Sequence, residues 1–226
     1  ISKIYLMENI ACHNGVYYPI KNESAVIRAL LSNRTWEKKA YDSYRPFLQK
    51  HHTVIDCGAF IGSHTLKFSE LCNKVYAYEP VPLINNCLAK TLVAKEIKNV
   101  ILSCCALGSE TNDSIIYTNY NGDSSLDGIR NQRFNHNFKT KVETLDNLIG
   151  LDEEIHFIKI DVEGSEWNVI EGAKNIINKW KPMILLETWA TKKNINKLNE
   201  FMKDYKYIDV VKINSENYLL FPITQK

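Results

Sequence analysis

From residue 53 onward the sequence alternates short apolar runs with longer amphipathic stretches, a rhythm that few folds accept. Apolar strands are expected at Thr53–Cys57, Val75–Tyr78, Val100–Cys105, His156–Asp161 and Met183–Glu187. Helices are expected at Gly62–Cys72, Pro82–Ala94, Glu166–Asn178 and Lys193–Lys203. Uninterrupted apolar strands separated by helices build a parallel sheet that is covered on both faces. Two late runs, Tyr207–Ile213 and Tyr218–Phe221, are joined only by Asn214-Ser215-Glu216-Asn217. So short a link joins antiparallel neighbours, because a parallel crossover needs about a dozen residues. The expectation is an α/β, Rossmann-like fold with a mostly parallel seven-stranded sheet, a C-terminal antiparallel hairpin and helices on both faces. Between residues 112 and 147 an insertion adds a strand at Ile115–Thr118 and a polar loop over Asn119–Asn137.

The first fifty residues have a different character. Tyr5-Leu6 and Val16-Tyr17-Tyr18 flank a His13-Asn14-Gly15 turn and read as a small hairpin. A helix should follow Asn22-Glu23-Ser24, where Val26, Ile27, Leu30 and Leu31 share a face, and a second should run from Thr35 to Leu48 with an interruption near Pro46. Residues 1–50 are therefore read as an N-terminal addition and 51–226 as the main domain. Tyr17, Tyr18, Trp36 and Tyr41 are expected to pack against the sheet or line the side where a substrate enters.

With 226 residues, 45% of them hydrophobic, the chain buries a core without disulfide or metal staples. It contains six cysteines, but no C-x-x-C pair, and Cys57, Cys104 and Cys105 sit in apolar runs. Buried reduced thiols in a reducing compartment are the expectation, rather than a disulfide framework or a zinc site. No apolar run reaches the ~20 residues of a membrane span, and no apolar leader opens the chain, so a cytoplasmic location is expected. The chain begins at Ile1 without Met, as a domain cut from a longer polypeptide would, one arrangement being a fusion to a glycosyltransferase. Twenty-eight basic and 26 acidic residues give a net charge of +2. The basic residues are scattered, with small clusters at Lys38-Lys39, Lys139/Lys141 and Lys192-Lys193, and the stripe expected of a nucleic-acid binder is missing. An excess of lysine over arginine, with abundant Asn and Ile, fits an AT-rich genome such as those of some bacteria, parasites and large DNA viruses.

The most informative segment runs from Val54 to Thr65, Val-Ile-Asp-Cys-Gly-Ala-Phe-Ile-Gly-Ser-His-Thr. A strand enters a glycine turn that opens a helix, which is where a parallel sheet binds a nucleotide. Twenty-one residues beyond Gly58, the run Val75–Tyr78 ends in Glu79-Pro80, an acid placed to accept both hydroxyls of an adenosine ribose. A dinucleotide fingerprint would need glycine at Phe60 and at Ser63. Phe60 would keep a pyrophosphate away from the backbone. S-adenosylmethionine has no phosphates and asks instead for backbone groups and a carboxylate near its ammonium, a role that suits Asp56. The structural alternative is a glycine turn needed only for chain reversal.

Taken together, several blocks resemble the FkbM-type S-adenosylmethionine-dependent methyltransferases. They are Asp56-x-Gly58-Ala59-x-x-Gly62-x-x-Thr65, Tyr78-Glu79-Pro80, Ala106-Leu107-Gly108, Ser124-Ser125-Leu126, Thr144-Leu145-Asp146 and Ile158-Lys159-Ile160-Asp161-Val162-Glu163-Gly164-Ser165-Glu166. The likeness extends over about residues 50 to 190, in the family's order. It implies a class I methyltransferase fold and O-methylation, often of sugar hydroxyls in glycans or glycosylated natural products. The cofactor residues expected are Asp56, Gly58, Ala59, Phe60, Gly62, Thr65, Glu79, Pro80, Ala106 and Asp161. A nucleic-acid ribose O-methyltransferase and a non-catalytic methyltransferase-like binding domain are the alternatives.

The catalytic candidates come from strand ends. Phe157–Asp161 and Met183–Glu187 finish in acids, and ligands of an open parallel sheet sit at the carboxyl ends of its strands. Asp161, Glu163 and Glu187 should therefore meet beside the methyl group, as general base or as ligands of Mg²⁺ or Mn²⁺. Asp161 ranks first as base, Glu163 second and Glu187 third. Each has a plainer role open to it: Asp161 orients the methionine end of the cofactor, Glu163 and Glu166 face a helix dipole, and Glu187 lies in solvent. Lys159 is expected to point to the opposite face or to snorkel to an edge. His64, Ser124, Ser125 and Trp189 are the acceptor-side candidates, with Tyr120, Phe134 and His136 in the polar loop as further contacts. His64 is otherwise a helix-surface residue, and His51-His52 read as surface.

Overall fold

The computed structural model describes residues 5–7, 9–20, 24–119, 124–126 and 134–223. A small antiparallel sheet opens the chain, formed by β1 (Tyr5–Met7), β2 (Ile10–His13) and β3 (Val16–Pro19) in the order β1-β2-β3. The tight hairpin joins β2 to β3, not Tyr5-Leu6 to β3 as the sequence suggested. Asn14 and Gly15 take φ of 51° and 75°, the left-handed pair that a two-residue type I′ turn demands, and this fixes the strand directly before it as the partner. Helix α1 (Ala25–Leu31) starts at Ser24, whose Oγ accepts from the Ile27 amide. Helix α2 (Lys38–Tyr44) runs into a 3₁₀ turn at Arg45–Phe47 around Pro46.

The main sheet is built from β4 (Thr53–Cys57), β5 (Lys74–Tyr78), β6 (Val100–Ser103), β11 (Phe157–Ile160), β12 (Met183–Glu187), β13 (Tyr207–Lys212) and β14 (Asn217–Pro222). The strands between β6 and β11 form a sheet of their own. The main order is β13-β14-β12-β11-β4-β5-β6, and every strand but β14 runs the same way. Strand order reverses beside β4, because β5 and β6 lie on one side and β11 and β12 on the other. The burial of all five residues of β4 and all four of β11 reflects helices on both faces. Those helices include α3 (Ser63–Leu71) and α4 (Pro82–Ala94), followed by α5 (Leu145–Ile149), α6 (Glu166–Glu171), α7 (Lys174–Trp180) and α8 (Lys192–Asp204). A single helix was expected over Glu166–Asn178, but it is broken at Gly172-Ala173. A Cβ on Gly172 would stand 2.0 Å from the Gly108 carbonyl oxygen, so the chain passes too close there for any side chain.

The 112–147 region holds more structure than the expected strand and loop. Strands β7 (Ala106–Leu107), β8 (Asn112–Thr118), β9 (Ser124–Leu126) and β10 (His136–Glu143) form a second sheet in the order β7-β10-β8-β9. The expected strand Val100–Cys105 accordingly stops at Ser103, and the chain changes sheets before Ala106. The exposed, polar alternation of β10 conceals a strand from an apolar-run reading. Tyr120 lies outside the described residues, as do the side chains of Ser124 and Ser125.

Among the described residues, no helix is long and apolar enough to cross a membrane. All six cysteines are free, five of them buried, while Cys104 is exposed beside Pro80 rather than buried in its apolar run.

Candidate active site

A cavity of about 300 Å³ opens at the carboxyl ends of β4, β5, β11 and β12, beside the reversal of strand order. Its floor is the glycine turn. Gly58, at φ 81°, comes so close to β11 that a Cβ would lie 1.8 Å from the Asp161 carbonyl oxygen. The turn is also tied to β5, since the amides of Gly58 and Ala59 both donate to the Tyr78 carbonyl, at 3.1 and 2.9 Å. Phe60 is held in the left-handed region at φ 49°. Its amide donates to Glu79 Oε2 and that of Val81 to Oε1, each at 2.9 Å. Burial pushes the Glu79 carboxyl up to about 7 despite these two donors.

Beneath the turn, Asp56 and Lys159 face each other across the β4–β11 register. Both are buried. Asp56 Oδ2 accepts from Thr65 Oγ1 at 2.6 Å, whereas Oδ1 has no hydrogen-bond partner and lies 3.7 Å from Lys159 Nζ. Lys159 Nζ donates to Asp161 Oδ2 at 2.9 Å and to the Gly58 carbonyl at 3.4 Å. Burial works against the ammonium, but Asp161 and Asp56 outweigh it and hold Lys159 above its usual range. The lysine neither snorkels nor turns away, because two carboxylates compensate it on the cavity side.

The N-terminal segment supplies the remaining wall. Trp36 and Glu37 line the cavity together with Ser24 and Val26. Glu37 Oε2 lies 3.1 Å from His64 Nε2, and Oε1 accepts from Asn217 Nδ2 at 3.3 Å. Burial opposes ionisation of Glu37, yet His64 and Lys159 prevail and keep its carboxyl below the usual range. The other nitrogen of His64, Nδ1, meets the buried Tyr44 hydroxyl at 2.9 Å. His64 is therefore an interior residue, 4% exposed, and not part of the helix surface. Glu187 completes the ring, and burial, with Asp161 and Glu37 adding to it, raises its carboxyl to about 9.

Of the expected cofactor residues, Asp56, Gly58, Ala59, Phe60, Glu79, Pro80, Ala106 and Asp161 line this cavity. Gly62 and Thr65 stand behind it. A Cβ on Gly62 would lie 2.5 Å from Leu88 Cδ1, so that glycine lets α3 pack on α4, while Thr65 braces Asp56. Asp161, Glu163 and Glu187 line the cavity as well, and His64 joins them. Trp189 does not; it lies in a neighbouring cleft. Glu166 turns its Oε1 to accept from the Gly164 amide at 2.7 Å, bracing the exit from β11. Sequence reasoning missed Glu37 and the role of Lys159. A lysine inside a buried strand, two residues before an acid and opposite Asp56, was the legible signal for the second. Nothing in the sequence linked Glu37 to a site whose glycine turn and carboxylates begin at Asp56.

The residues suit S-adenosylmethionine. An acid at the end of β5 fits a ribose diol, and the orphaned Asp56 Oδ1 and Ser165 Oγ fit the amino-acid end of the ligand. They do not gather around a divalent cation in the expected way. Among the described residues the one trio with ligand atoms within 4.8 Å of one another is His51, His52 and His156, at the opposite end of the sheet. His52 stacks on His156 at 4.2 Å, so it is not simply a surface residue. In both rings Nδ1 accepts a backbone amide, from Gln49 and Thr53. Metal-bound histidines instead donate their second nitrogen to an acceptor.

The Methyltransferase FkbM domain pattern matches residues 56–208, more than half of the chain. The chain belongs to the FkbM methyltransferase family. Among solved structures it is similar to the methyltransferase FkbM of Methylobacillus flagellatus KT, with a TM-score of 0.57 and 16% identity over 87% of this chain. The chain spans about half of that protein, 53% of its length. An rRNA methylase of Streptococcus thermophilus gives a TM-score of 0.52 at 15% identity, covering 80% of this chain and 91% of its own. SMU.1697c of Streptococcus mutans, solved with S-adenosylhomocysteine, gives 0.50 at 17% identity over 81% of this chain and 94% of its own. No curated protein sequence matches significantly. The fold is that of the class I S-adenosylmethionine-dependent methyltransferases, and the FkbM domain begins at the Asp56 turn.

Proposed function

We propose that this FkbM-family protein binds S-adenosylmethionine in the cavity above the glycine turn and methylates a hydroxyl of a sugar in a glycan or glycoconjugate. The observation that carries the reading is the convergence of a braced glycine turn, Glu79 and three strand-end carboxylates on one cavity. Glu79 accepts the ribose hydroxyls, beside Phe60 and Pro80. Asp56 and Asp161, fixed by Lys159, hold the methionine end, and Ala59 and Ala106 flank the base. When bound, S-adenosylmethionine supplies an electrophilic methyl carbon on a sulfonium.

Within this reading the proton of the acceptor hydroxyl passes to the Glu187 carboxylate. Burial beside other acids makes Glu187 strongly basic, and a cation brought into the cavity favours its ionised form. Asp161 was the first choice from sequence, but its pairing to Lys159 at 2.9 Å suits orientation better than proton transfer. Glu163, on the rim, contacts the acceptor, as do His64 and the Ser124-Ser125 strand. Residues 1–50 form the acceptor side, with Trp36 and Glu37 in the cavity wall. Five buried free thiols fit a reducing compartment, the basis for assigning the protein to the cytoplasm.

The test is release of S-adenosylhomocysteine in the presence of a panel of methyl glycosides. Glu187→Gln should lower kcat about 100-fold while leaving S-adenosylhomocysteine affinity unchanged, and Asp161→Asn should weaken that affinity. Equal losses of affinity in both variants would remove Glu187 from the role of base.

A further inference from the structure

A second cleft, of about 260 Å³, adjoins the first and shares Asp161, Glu163 and Glu187 with it. The three acids thus form the partition between the two spaces. Beyond the partition the cleft is walled by Trp167, Thr188 and Trp189. Trp189 is 45% exposed, so part of its indole is accessible from the cleft side to a ligand. Thr188 is 3% exposed, yet its Oγ1 has no hydrogen-bond partner, and neither does the buried Trp167 Nε1. Buried donors without partners carry a cost that a ligand can relieve.

We propose that this second cleft is the acceptor subsite and that it takes one uncharged sugar ring, an assignment that rests on the sugar-methylation reading above. Three properties select that ligand class. The half-exposed indole of Trp189 attracts the weakly positive C–H face of a pyranose, because the π-system is negative at its face. The residues that line the cleft carry both kinds of hydrogen-bonding group, a hydroxyl on Thr188 and an indole N–H on Trp167 and acceptors on the shared carboxylates, and hydroxyls need both. Among the described residues lining the cleft there is no lysine or arginine, while acids line its inner edge. A phosphate backbone would meet repulsion there, because the three shared acids outnumber the Lys197 ammonium, which lies 5.8 Å from the centre of the Trp167 ring. The shared partition also explains how a hydroxyl on a ring bound over Trp189 reaches Glu187.

The test uses the whole chain, S-adenosylmethionine and a panel of methyl glycosides, with a single-stranded RNA oligonucleotide as the rival acceptor. Trp189→Ala should raise the glycoside KM about tenfold, the scale of one lost aromatic contact, with kcat and the Kd for S-adenosylhomocysteine unchanged. Trp189→Phe should recover most of the loss. Saturation-transfer NMR on the S-adenosylhomocysteine complex should show contact with the methyl glycoside in wild type and lose it in Trp189→Ala. If glycosides are methylated and Trp189→Ala leaves KM unaltered, the subsite assignment is overturned while the sugar reading stands. If RNA is methylated and no glycoside is, or if neither is although S-adenosylhomocysteine binds, the sugar reading fails and the subsite fails with it.

Discussion

Glu187 concentrates the physical tension of the site in one side chain. Its carboxyl is raised from 4.5 to about 9, chiefly by burial, so the folded protein keeps a proton there that the unfolded chain releases. The sign follows from linkage: this contribution to stability is intact below about pH 4.5 and is lost as pH rises to about 9. Glu79, raised to about 7, adds a similar loss that is complete earlier. Between pH 7 and 9 Glu187 contributes a slope of at most about 1.4 kcal/mol per pH unit, to which the buried thiols of Cys57, Cys72, Cys87 and Cys105, all raised by burial, add toward pH 9. Thermal melts of the ligand-free protein should show stability falling across that interval. Glu187→Gln should flatten the fall and melt higher than wild type at the alkaline end, and an unaltered slope in the variant would refute the assignment. At this scale the sequence showed which acids end the strands but not their balance. Lys159 and Asp56 lie about a hundred residues apart, and only the β4–β11 register makes them neighbours.

The elements were legible to the extent that periodicity reports them. β4, α4 and β12 have the bounds that their apolar patterns and Pro82 suggest. The second sheet escaped because half of β10 is exposed and β7, only two residues long, reads as the tail of the apolar run that begins at Val100. The motif Thr144-Leu145-Asp146 belongs to the scaffold. Thr144 Oγ1 accepts from the Asn147 amide, and Asp146 reaches across to cap α7. Asp146 Oδ2 accepts from the Asn175 amide and Oδ1 from that of Ile176, both at 3.0 Å. Asp146→Ala should therefore cost about 1–2 kcal/mol in urea denaturation, as lost helix caps do, with S-adenosylhomocysteine affinity retained. A loss of affinity without a loss of stability would move this motif from scaffold to site.

Across the whole molecule, the strand order places the glycine turn, the β5 acid and the β11 and β12 acids at one edge of the sheet. This much was foreseeable from the alternation of strands and helices, because parallel sheets put ligands at their carboxyl ends. Trp36 was among the aromatic residues expected to pack on the sheet or line the substrate side, but the place of Glu37 was not foreseeable. No motif marks Glu37, whose carboxylate is held by His64 and Asn217, residues far from it in the chain. The site is thus assembled from the family's domain and from a segment ahead of it, which closes the cavity near Glu187. The central claim is that this cavity binds S-adenosylmethionine through the β5 acid. Calorimetric titration with S-adenosylmethionine tests it most directly. One site per chain is expected, weakened at least about tenfold in a folded Glu79→Gln variant; no binding to wild type, or binding indifferent to Glu79, would contradict the account.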